Sequence, residues 1–100
     1  MSEGPRRTDD GVTPLLTAIY HGDVQAVDRL IAAGANVRAA NREGMTPLAM
    51  ACLDGDLSII DRLLKAGADP KARGPNGETL LMLAARNGRV DVLTRLLAAG

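Results

Sequence analysis

NREGMTPLAMACLDGDLSIIDRLLKAGADPKAR, residues 41–73, reads as one complete unit of a repeating chain. Asn41-Arg42-Glu43-Gly44 is turn material, polar and with a glycine available for positive φ. Thr46-Pro47 then reads as a helix start. The threonine hydroxyl caps orphan amides, and proline takes the first helical position, where its missing N–H is not needed. The helix runs through Leu48-Ala49-Met50-Ala51-Cys52-Leu53 and stops at Gly55. A second helix carries Leu57, Ile60, Leu63 and Leu64 on one face, with Asp61, Arg62 and Lys65 turned away. Gly67 closes it, and Ala68-Asp69-Pro70 leads into an extended connection that reaches the next turn at Pro75-Asn76-Gly77. Each unit is therefore helix, turn, helix and a protruding loop or hairpin.

The same pattern recurs 33 residues upstream and downstream. Gly11, Gly44 and Gly77 fall in step, as do Thr13, Thr46 and Thr79, then Ala18, Ala51 and Ala84, Gly22, Gly55 and Gly88, and Gly34, Gly67 and Gly100. A period of this size marks a supersecondary element that cannot bury its apolar side alone and must stack on its neighbours. The first unit follows the plan with a Thr13-Pro14-Leu15 start and Val24, Val27, Leu30 and Ile31 in its second helix. The third follows it with Thr79-Leu80-Leu81, Leu80 replacing the proline, and with Val90, Leu93, Leu96 and Leu97. Alanine-rich first helices allow close approach while leucine-rich second helices fill more space. Such a wedge bends the stack and puts first helices and loops on the concave side.

Composition agrees with thin, closely packed helices. Apolar residues are 46% of the chain, yet Tyr20 is the only aromatic. Twelve basic and twelve acidic residues cancel, so no long-range field favours nucleic acid or a charged membrane. Cys52, the single cysteine, forms no disulfide within the chain and reads as a small buried hydrophobe. No apolar run approaches a membrane span, and residues 1–10 lack the apolar core of a signal peptide, so the default setting is cytoplasmic.

Thr13-Pro14-Leu15, Thr46-Pro47-Leu48 and Thr79-Leu80-Leu81, the pairs Leu30-Ile31, Leu63-Leu64 and Leu96-Leu97, and then Gly34-Ala35-Asn36 and Gly67-Ala68-Asp69 together resemble the ankyrin repeat. The resemblance implies an all-α fold: a solenoid of stacked helix-turn-helix units with β-hairpin-like loops. It covers residues 8–100, in repeats of about 8–40, 41–73 and 74–100, behind a flexible N-terminal tail, residues 1–7. There are departures. Leu16, Ala49 and Met82 stand where the family often has a histidine that ties adjacent loops, so weaker tethering is expected, with packing in its place. Thr8, Asn41 and Gly74 stand where it usually has aspartate, which makes Gly74-Pro75-Asn76-Gly77 the least typical hairpin.

No chemistry is legible. His21, the only histidine, sits before Gly22 with Asp23 nearby, and that arrangement is common at solvated helix ends; no nucleophile is placed for it. One histidine and one cysteine do not make a metal site, and the glycines are spaced as helix stops, not as a phosphate cradle. The chain is expected to be no enzyme and to need no cofactor. The resemblance instead implies a protein partner gripped by hairpin tips and by the exposed ends of first helices. Carried over by register, these are Asp9, Asp10, Val12, Tyr20 and His21 in the first unit. The second unit offers Arg42, Glu43, Met45, Leu53 and Asp54, and the third Pro75, Asn76, Glu78, Arg86 and Asn87. Tyr20, Leu53 and Arg86 share one register, and tyrosine and arginine are frequent binding anchors.

The ends differ. Thr17 stands where Met50 and Leu83 stand later, and Gln25 and Asp28 add polarity, so the first unit reads as a cap. The third unit reads as internal, which leads to the expectation of further repeats or a partner over its outer face. The leading functional reading is a non-enzymatic module that recruits or inhibits a partner protein. The alternative is a segment of a longer regulatory or scaffold protein, acting as an inhibitor of an enzyme partner.

Overall fold

A computed structural model describes residues 12–99, so the tail at 1–7, Thr8, Asp9, Asp10, Gly11 and Gly100 lie outside the described residues. Six helices are described: α1 Val12–Tyr20, α2 Val24–Ala32, α3 Pro47–Asp54, α4 Leu57–Lys65, α5 Leu80–Arg86 and α6 Val90–Ala99. They pair as α1–α2, α3–α4 and α5–α6. The first helices α1, α3 and α5 stack in one row and the second helices α2, α4 and α6 in another. First helices touch over more of their length than second helices do, the wedge that the alanines imply.

Helix starts follow from side-chain chemistry. Thr46 Oγ1 accepts from the Ala49 amide at 3.1 Å and Thr79 Oγ1 from Met82 at 3.1 Å, with Pro47 opening α3. Asp23 and Asp56 do the same for α2 and α4, accepting from the Ala26 and Ile59 amides at 3.1 and 3.2 Å. The first unit departs from the expected plan. Thr13 lies inside α1, which already includes Val12, and its carbonyl accepts the Thr17 hydroxyl one turn on at 3.0 Å. Gly55 ends α3 in the left-handed region at φ 74°, and the Arg89 guanidinium occupies the space that a Cβ there would need.

The second and third hairpins share their backbone bonds. Asn41 and Gly74 donate to the Met45 and Glu78 carbonyls at 3.0 and 2.7 Å, and Gly44 and Gly77 donate back to Asn41 and Gly74, each at 3.0 Å. The Asn41 carboxamide oxygen also accepts from the Glu43 and Met45 amides at 3.0 and 2.9 Å. Gly74 has no such side chain. Arg73 compensates by donating to the Gly77 carbonyl at 2.7 Å, and Arg73 and Thr79 pair in an antiparallel bridge. The least typical hairpin in sequence therefore keeps the backbone path of its neighbour. Gly44, at φ 84°, lies so close to the third hairpin that an added Cβ would sit 3.4 Å from Pro75 Cα.

Unit joins carry more than packing. Arg38 Nε donates to the Gly67 carbonyl at 2.7 Å, and Arg89 Nη2 to the Gly55 carbonyl at 2.9 Å. Guanidinium–carbonyl bonds thus tie units where the expected substitute for the missing histidines was packing alone. On the outer row, Arg62 Nε meets Asp28 at 2.8 Å, and Arg95 meets Asp61 with the same sequence offset of 34. These pairs are exposed, so they fix register more than they add stability.

The core runs continuously through the stack, from Leu15, Ile19 and Val27 through Leu48, Ile59, Ile60 and Leu63 to Leu80, Leu83, Val92 and Leu96. Ala49, Ala51 and Ala84 are fully buried in the first-helix row. Cys52 is fully buried too, and that burial pushes its thiol up to about 12 from an ordinary 9.0. Below pH 9 both folded and unfolded chains keep the proton, so stability is independent of it. Above 9 only the unfolded chain loses it, and stability is expected to fall by about 1.4 kcal/mol per pH unit until the folded thiol ionises. Urea unfolding of the parent and Cys52→Ala across this window checks it: the alanine variant should lack that share of the slope.

Candidate functional site

The ends of the three first helices lie along one edge of the stack. Tyr20 closes α1, Leu53 is the penultimate residue of α3 and Arg86 closes α5. All three are exposed, Tyr20 at 69% and Leu53 at 37%. An exposed tyrosine and leucine in neighbouring helices leave apolar surface uncovered at the place where the helix row meets solvent. The Tyr20 ring stands edge-on to His21, with centroids 5.5 Å apart and planes at 70°. Arg86 is tied by Nη2 to Glu78 Oε2, and the Glu78 side chain is only 12% exposed. The guanidinium is thereby anchored with its remaining donors toward solvent.

Sequence neighbours extend the row. His21, Asp54 and Asn87 are exposed beside the three anchors. Partial burial, and then the nearby Asp56 charge, hold the Asp54 carboxyl above its ordinary range. Asp23 gives its carboxylate to the Ala26 amide as a cap, so it has a structural task independent of His21. Arg42 and Glu43 are exposed at the tip of the second hairpin and Asn76 at the tip of the third, while Pro75 is half-buried.

One register is corrected. Val12 is the first residue of α1 and fully buried, so it offers no side chain at a hairpin tip. Its register mates Met45 and Glu78 are half-buried, Met45 against the core and Glu78 under Arg86. The residue before each threonine thus serves the scaffold, because the chain turns inward there to begin the helix. Asp9 and Asp10 lie outside the described residues.

A shallow depression beside Tyr20, lined by Thr13, Leu16, Thr17, Asn41 and Met50, was not anticipated. It joins the first helix to the second unit. Thr17 and Leu16 lie three and four residues before Tyr20, so helical spacing from the tyrosine is the signal that points to them. Among the described residues, no group of three or more His, Cys, Asp or Glu is placed to hold a metal ion, and no helix is long and apolar enough to cross a membrane.

A family model described as ankyrin repeats (3 copies) matches residues 2–74 and 49–100. No curated protein gives a significant match. Repeats of this kind generally serve as protein–protein interaction modules and are typically non-enzymatic. Paired helices in two rows, hairpins with a shared bonding pattern and a family match over both halves agree: the chain belongs to the ankyrin-repeat family.

Proposed function

We propose that this chain is a non-enzymatic binding module that holds a partner protein along the first-helix row and the hairpin tips, and so recruits or inhibits it. The observation that carries the reading is the aligned, exposed trio Tyr20, Leu53 and Arg86 at successive first-helix ends. Around it stand His21, Asp54 and Asn87, with Arg42, Glu43, Pro75 and Asn76 on the hairpins. Rigidity supports the same reading. The loops are bonded within and between units, so little ordering entropy is lost when a partner binds. A cytoplasmic setting belongs to this proposal, consistent with a lone, buried, protonated thiol.

Affinity capture from the native host, with this domain as bait, identifies the partner. Alanine at all three of Tyr20, Leu53 and Arg86 should then weaken binding by roughly a hundredfold or more, because anchors of this kind carry most of an interface's energy. The circular dichroism spectrum and melt should stay close to those of the parent. Undiminished affinity in a folded triple variant would sink the proposal.

A further inference from the structure

The turns between first and second helices share one register: His21-Gly22-Asp23, Asp54-Gly55-Asp56 and Asn87-Gly88-Arg89. Two of them end in an aspartate that caps the following helix, Asp23 on the Ala26 amide and Asp56 on the Ile59 amide. The third ends in arginine, whose side chain has no acceptor to offer the amides of α6. A favoured cap is given up there, and the geometry shows what takes its place.

Arg89 reaches three helices. Its amide donates to the Ala84 carbonyl of α5 at 2.9 Å. Its guanidinium holds both carboxylate oxygens of Asp91 in α6, at 3.1 and 2.9 Å, and Nη2 donates to the Gly55 carbonyl at 2.9 Å. Gly55 is the buried residue that ends α3. Its carbonyl lies at the helix terminus where acceptors are left unpaired and a cation is favoured. The corresponding place between units one and two has no such link. Asp56, the register mate of Arg89, turns its carboxylate to its own helix. A Cβ added at Gly22 would meet nothing within 4 Å, whereas one at Gly55 would meet the Arg89 guanidinium. Among the described residues no side-chain hydrogen bond joins the first turn to the second, and helix packing alone holds them.

We propose that Arg89 is a coupling residue that fuses the second turn to the third. The ends of α3 and α5 then open and close as one body, while the end of α1 opens on its own. Leu53 and Asp54 precede Gly55, and Arg86 and Asn87 precede Gly88-Arg89. The bond therefore sets the spacing of two of the three exposed anchors and leaves Tyr20 to adjust, a consequence that rests on the binding reading above. The coupling itself needs no partner.

Native-state hydrogen exchange, followed residue by residue by NMR, tests it with the chain alone. The Gly22, Gly55 and Gly88 amides donate to the Ile19, Ala51 and Ala85 carbonyls at 3.0, 2.8 and 3.0 Å, and report the three turns. Arg89→Met keeps the aliphatic stem and removes the donors. It should speed exchange at Gly55 and Gly88 by about tenfold or more, because a carbonyl loses a charged donor, and leave Gly22 unchanged. Equal acceleration at all three turns, or none at Gly55, overturns the proposal. Gly55→Ala and Gly22→Ala form a second arm, since both positions have positive φ, 74° and 68°, and only the first meets Arg89. Gly55→Ala should lower the folding equilibrium constant about tenfold further than Gly22→Ala, and an added Arg89→Ala should abolish that difference. Equal costs of the two alanines also overturn the coupling. Such a failure leaves the binding reading standing, because the Tyr20, Leu53 and Arg86 triple variant tests that separately.

Discussion

Leu63→Ala should destabilise the domain by about 2–5 kcal/mol, the range for deleting a fully buried leucine side chain. Leu63 lies on α4, in the middle unit, and α4 packs against α2 on one side and α6 on the other. The cavity therefore opens where the second-helix row is continuous, with few ways for the backbone to close it. In a stack of three units every unit depends on a neighbour, so the loss should appear as one cooperative shift of the whole transition. For a domain of this size it lowers the melting midpoint by about 8 °C or more. Leu64→Ala is the internal comparison. Leu64 is half-buried, so its truncation should cost clearly less. Equal losses in the two variants, read by chemical denaturation, would contradict the packing described for α4.

The second large effect concerns the narrow row. Ala49→Leu should destabilise by about 1–3 kcal/mol through overpacking. Ala49 is fully buried in α3, which lies between α1 and α5, and three added carbons would have to push neighbouring backbones apart. Its register mate gives the control. Met82 is 56% exposed, so Met82→Leu should change stability by no more than about 0.5 kcal/mol. A melt of Ala49→Leu matching the parent would show that the first helices are not held close by their small residues. Widening this row would also splay the ends of α1, α3 and α5, so the variant should bind a captured partner more weakly even where it remains folded.

Much of this architecture was open to reading from the chain alone, because repetition makes its own control. Thr46 and Thr79 are caps, Gly55 is a left-handed stop and Leu63 is core, as their positions within the unit require. What escaped has physical reasons. Helical periodicity places Leu63 and Leu64 on one face but cannot rank their depth, which depends on where the neighbouring helix crosses. Comparison in register matches Asp28 with Asp61 and Arg62 with Arg95, whereas the bonds run from each acid to the next unit's base, one residue off the period. Asp23 reads in sequence only as part of a solvated helix end and Asp56 draws no reading, and the capping by both becomes visible with backbone geometry. Among candidate contact residues, those at the helix ends share their exposure because that position repeats with the unit. Val12 was misplaced because its unit begins its helix two residues earlier than its sisters do, at Val12 where Pro47 and Leu80 correspond to Pro14.

The acid–base rungs on the outer row have a bearing on how such an array grows. Each middle-type unit carries both halves of the link, Arg62 facing back and Asp61 facing on. Inserting a duplicate of residues 41–73 would supply a guanidinium to the unit before and a carboxylate to the unit after, leaving every existing join satisfied. Duplicating the third unit would not, since Thr94 provides no onward half. Lengthening by gene duplication therefore keeps every rung when the second unit is copied and leaves an arginine without its acid when the third is, an asymmetry written into Asp61 and Thr94.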